Sequence, residues 1–232
     1  MAGPGLAWPG LAGCGRAWQG KEIKQIERRN KLATETIERI LEEETQTQYL
    51  RFLIEGKTPL LMHNPNGSMA VEDNKPKKGK EVYIPEEDAE KSAYRFPDTG
   101  DLCMPSTAIR NATLNGAKGL RYQKKAAGPF ISGALLLNDE YFPLVDADGN
   151  PITDYIIDTR RVVIQRAAIM RSRARVDTPW FLEGTFIFNP TCSIELIRTA
   201  MEDAGMIAGI GDYRIEKKGP FGSFEVRDLE II

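Results

Sequence analysis

Residues 209–231, GIGDYRIEKKGPFGSFEVRDLEI, divide into a glycine-crowded connection and a strand. Gly205, Gly209, Gly211, Gly219 and Gly222 mark the connection, and glycine permits positive φ and close backbone approach. From Ser223 to Ile231 the chain alternates, with Phe224, Val226 and Leu229 apolar, as a half-buried strand does. Upstream, Ser193 caps a helix to Met206 with Ile194, Ile197, Met201 and Ala204 in one stripe. The connection has two readings: helix termination with a turn, or an anion nest of exposed amides. Arg214, Lys217 and Lys218 within it favour phosphate contact.

Working outward, Trp180–Phe188 alternates Phe181, Thr185 and Ile187 against Leu182, Phe186 and Phe188. Val162–Met170 reads as a strand, and Ile131–Asn138 with Tyr141–Val145 as a strand pair. Pro105–Lys118 reads as a helix capped by Ser106 or Thr107, with Ile109, Ala112 and Ala117 as its apolar face. Tyr49–Glu55 is a strand with Leu50, Phe52 and Ile54 on one side. Strand, helix, strand, strand, helix, strand is the split βαββαβ order. The expected fold class is α+β: a ferredoxin-like, RNA-recognition-like palm with two helices on one face of an antiparallel sheet. The other face is left free for a ligand, where RNA-recognition domains bind single strands.

The palm is expected over residues 47–232, with insertions at about 65–104 and 120–158. Within the first, Met69–Gly100 is polar, part flexible and part short helix. DADGNP at Asp146–Pro151 is a tight turn; its resemblance to a calcium loop lacks the remaining ligands. Residues 21–46 read as an N-terminal helix, with Ile23, Ile26, Ala33, Ile37 and Ile40 in one stripe. Residues 1–20 lack the pattern of a signal peptide and read as a disordered extension.

The chain has 232 residues and a net charge of −2. Cys14, Cys103 and Cys192 are too scattered for a disulfide framework or zinc site, and a reducing cytoplasm is expected. No metal or cofactor motif is present.

Against this acidic balance stands RRVVIQRAAIMRSRAR, residues 160–175, with Arg160, Arg161, Arg166, Arg171, Arg173 and Arg175 and no acid. It reads as a strand running out to an arginine-rich tip, RSRARVDTP. Guanidinium groups grip phosphates and stack on bases, which makes the run a candidate for nucleic acid. The alternative is a solvated basic face, or arginines paired with acids elsewhere. A second acid-free stretch, Leu102–Asn138, carries Arg110, Lys118, Arg121, Lys124 and Lys125. Tyr122, Phe221 and Phe224 are candidates for base stacking. His63, the only histidine, is the one ready general base near neutral pH, or a structural hydrogen-bonder at a strand end.

PSTAIRNATLNGAKG as first helix and GIGDYRIEKKGPFGSFEV before the last strand, in the split order, resemble the RAMP superfamily of CRISPR-associated proteins. The similarity is nearest its Cas7 backbone type or phage-borne relatives, over roughly Tyr49–Ile231. The resemblance implies a palm with inserted fingers that binds single-stranded guide RNA along its backbone and stacks into a filament. By that likeness Arg110, Lys118, Gly209 and Gly211 would lie at phosphates. The arginine hairpin would be a thumb that clamps the strand or touches the next subunit. Some members cut RNA with an aspartate after the first strand, where Asp73, Asp98 and Asp101 lie here; others use histidine. The expected function is single-stranded nucleic-acid binding, RNA favoured, with oligomerisation along the ligand. The alternatives are a metal-independent endoribonuclease using His63 and a self-assembling structural protein without nucleic acid.

Overall fold

The computed structural model describes Lys31 and residues 47–65, 83–164 and 167–232. The N-terminal extension, the expected helix of residues 21–46 apart from Lys31, residues 66–82 of the polar insertion (Asp73 among them), and residues 165–166, Arg166 included, lie outside the described residues. The chain divides into Met1–Thr47 and Gln48–Ile232, and all that follows concerns the second unit.

That unit is α+β. Its central sheet joins β11 (Phe224–Ile231), β1 (Gln48–Gly56), β10 (Phe181–Phe188), β7 (Tyr141–Val145) and β3 (Cys103–Pro105) in that order. β6 (Leu135–Leu137) pairs with the other end of β10. The pairings are antiparallel. Leu50, Phe52 and Ile54 of β1 face Phe186, Gly184 and Leu182, so the alternating positions of both strands enter one core. There Phe52, Phe142 and Phe186 meet with ring centroids 5.1–5.5 Å apart. β11 carries a register shift opposite Leu53 and Ile54, which spaces Phe224, Val226 and Leu229 two then three residues apart.

The core is covered by α2 (Ser106–Gly116) and α4 (Ile194–Asp203). They cross at Gly116, where a Cβ would stand 2.1 Å from the Ala200 carbonyl. The Ser193 hydroxyl caps α4 as expected, accepting from the Leu196 amide. α2 differs: neither Ser106 nor Thr107 caps it. Ser106 is already helical and its hydroxyl donates to the Glu140 carbonyl. A π-helical turn, Ala204–Ala208, follows α4.

Two strand assignments change. Residues 131–134 belong to α3 (Gly128–Ala134), which Pro129 starts by presetting φ. β6 and β7 therefore pair with β10, not with each other. The arginine-rich RSRARV segment is no tip: β8 (Ile156–Ile164) and β9 (Ala167–Val176) pair as one long antiparallel ribbon. Ser172, Ala174 and Val176 alternate with Arg171, Arg173 and Arg175 and are buried, and that alternation makes RSRARV a strand. α1 (Pro85–Ser92) packs on β9. Asp88 accepts from the Ser172 amide at 2.6 Å and the Ser92 hydroxyl from the Ala174 amide at 2.8 Å. These side chains occupy edge donors that a free strand would expose. β2 (Leu60–Leu61) pairs with the end of β9, and β4 (Arg121–Tyr122) with β5 (Lys125–Ala126) makes a small ribbon after α2. The Asp146 turn is closed by its own carboxylate, which accepts from the Asp148 and Asn150 amides. Among the described residues no helix is long and apolar enough to cross a membrane.

Candidate nucleic-acid interface

The sheet face away from the helices does not suit a nucleic acid. Glu55, Glu183, Glu225, Asp228 and Glu230 outnumber Arg51, Lys57 and Arg227 there, and they are tied together by ion pairs. Phosphates would be repelled. Two expected stacking residues are unavailable: Phe221 and Phe224 are buried. Tyr122 is half-buried against Phe130, edge to face at 5.2 Å.

Arg160, Arg171, Arg173 and Arg175 of the ribbon find acids within the chain. Asp158, buried between them, takes hydrogen bonds from Arg160 and Arg175. The Arg160 bond first, then Arg175, holds its carboxyl below the usual carboxylate range. Arg175 also pairs with Asp177, Arg171 with Asp88 at 3.6 Å and Arg173 with Asp212 at 2.7 Å. Arg160 lies over the Phe221 ring, 4.8 Å from its centroid. These contacts make the ribbon face a wall for the glycine segment. Arg110 turns inward as well, donating to the carbonyls of Ser132 and Leu135.

The glycine segment is pinned through its own amides. Gly209, Ile210, Asp212 and Gly222 donate to the carbonyls of Ala204, Gly222, Leu61 and Pro59. The expected anion nest is therefore largely consumed. Gly211, at φ +79°, brings the segment against Leu61, whose carbonyl would be 2.5 Å from an added Cβ.

Between this segment and α2 lies a cavity of about 310 Å³, lined by His63, Tyr94, Thr107, Asn111, Asn115, Gly209, Gly211, Asp212 and Arg214 among others. A second hollow, with Glu140 and Tyr141, shares Tyr94, Pro105 and Thr107 and prolongs it past the start of α2. At the other end, Lys118 reaches Glu216 at 3.4 Å while its side chain stays 68 % exposed. Glu216 also accepts from Arg214 and Asn115. Lys217 and Lys218 beside it are exposed, as are Arg121 and Lys124 of the small ribbon. His63 stays exposed on one side. Partial burial lowers its pKa from 6.5, Arg173 and Arg171 acting the same way and Asp212 and Asp88 opposing.

The structure thus brings Gly209, Gly211, Arg214 and His63 to one groove, leaves Lys118, Lys217 and Lys218 exposed at or next to Glu216, sets Arg160, Arg171, Arg173 and Arg175 into internal ion pairs and turns Arg110 onto backbone carbonyls. Sequence reading missed Thr107, Asn111, Asn115 and Tyr94. The spacing of Thr107, Asn111 and Asn115, one turn apart on a helix, was the available signal. The chain matches no known family model and no curated protein.

Proposed function

We propose that this protein binds single-stranded nucleic acid, RNA in preference to DNA, along the groove between α2 and the glycine segment. It does so as the palm of a Cas7-like subunit that assembles along its ligand. The observation that carries this is a groove lined by the α2 polar face and the Gly209–Arg214 segment, with Lys118 tied to the Glu216 carboxylate that also accepts from Asn115 and Arg214 of that lining. The strand order β11-β1-β10 with β6 and β7 beyond β10 supports a ferredoxin-like palm. The β8–β9 ribbon, inserted in the chain between β7 and β10, would serve as the thumb.

Binding to labelled single-stranded RNA, single-stranded DNA and duplex across a salt series tests the reading. Each of Lys118, Lys217 and Lys218 replaced by alanine should lower the salt slope by about 1. Replacing Arg171 or Arg175 should change stability instead. Absence of binding to any single strand overturns the proposal.

A second reading, metal-independent RNA cleavage with His63 as base, is favoured by the placement of a neutral imidazole at the cavity mouth. Cleavage in a chelator that persists in His63→Ala removes it.

A further inference from the structure

The cavity beside α2 has features that phosphate binding does not require. Its charged groups are already matched, Asp212 with Arg173 and Arg214 with Glu216. The amides of Gly209, Ile210 and Asp212 are bonded to carbonyls. Its volume, about 310 Å³, is at the small end for ligand sites, enough for one flat heterocycle with its sugar.

The α2 wall is polar and uncharged. Asn115 donates to Glu216 at 3.3 Å. Asn111, one turn before it, is exposed and among the described residues its amide has no hydrogen-bond partner. Ala108 and Ala112 keep the wall shallow on either side of it. A primary amide offers one acceptor and two donors on one planar edge. That edge pairs in bidentate fashion with N6 and N7 of adenine. Tyr94 and His63 add aromatic surface, and the Tyr94 hydroxyl donates to the His63 carbonyl at 2.9 Å, linking the two. Single-strand readers commonly turn a base out and read its edge in this way.

We propose that the cavity takes one adenine turned out of the bound strand, with Asn111 bonding its N6 and N7 edge while Lys118, Lys217 and Lys218 hold the backbone outside. The inference rests on the proposed single-strand binding and adds to it a base preference.

The test is fluorescence anisotropy with oligouridylate and with the same strand carrying one central adenine, guanine, cytosine or 7-deazaadenine. Adenine should tighten binding about tenfold, and 7-deazaadenine, which lacks the N7 acceptor, should not. Asn111→Ala should erase the adenine gain over oligouridylate and leave the melting temperature unchanged. An adenine gain that survives Asn111→Ala or the 7-deaza substitution overturns the base pocket. So does equal, tight binding of all strands, which leaves the proposed function standing. No binding to any strand overturns both.

Discussion

Arg173 Nε and Asp212 Oδ2 lie 2.7 Å apart, shielded from solvent, and join the arginine strand β9 to the glycine segment. The N–H is not aligned for a hydrogen bond, so the contact is an ion pair. A double-mutant cycle with Arg173→Ala and Asp212→Ala, read by urea unfolding, should give a coupling of about 1–2 kcal/mol. Additive single effects would mean that the pair does not hold the segment in place.

Asp158 ties Arg160 and Arg175 together across the ribbon. Asp158→Asn should cost about 2 kcal/mol, the worth of hydrogen bonds to a charged group. The folded pKa of Asp158 is depressed below 3.8. Its contribution is therefore complete above the unfolded value and is lost as pH falls through the lower folded value. The difference between wild type and variant should shrink over that acid range in a pH series of unfolding curves.

His63, as the single imidazole, gives one assignable NMR titration. Its midpoint should lie below 6.5 because burial disfavours the cation. Asp212→Asn should lower it further, since the carboxylate raises it, and Arg173→Gln should move it up. A midpoint at or above 6.5 would show that burial and the arginines do not outweigh the carboxylates of Asp212 and Asp88.

Gly116 is where α2 and α4 touch. Gly116→Ala places a Cβ 2.1 Å from the Ala200 carbonyl and should cost about 1–3 kcal/mol by overpacking. Gly128 has open space around the same position, and Gly128→Ala should leave the melting temperature unchanged or raised. Equal behaviour of the two would place the helix crossing elsewhere.

The strands that bury one face were legible because their side chains declare the period: Leu50, Phe52 and Ile54 in β1, Leu182, Phe186 and Phe188 in β10. β9 was not, because Ser172 and Ala174 are too small to signal burial and the arginines between them dominated the pattern. α3 was hidden by its apolar content, which suits a short strand as well as a helix turn. The arginine run announced charge correctly but not its partners. Asp88, Asp158 and Asp212 come from three separate segments, and spacing along the chain does not report a meeting across space.

The sequence by itself determined the alternating strands, the capped second helix, the glycine connection and the cation-rich stretches, because side-chain period and backbone freedom are local properties. Only the tertiary structure decided which cations stay exposed. It turned Arg171, Arg173 and Arg175 onto carboxylates, left Lys118, Lys217 and Lys218 exposed, and set Asn111 in the lining of a groove. The physical reason is that a charge is neutralised by whatever lies within a few ångströms of it, and that distance is set by how the sheet, helices and ribbon pack.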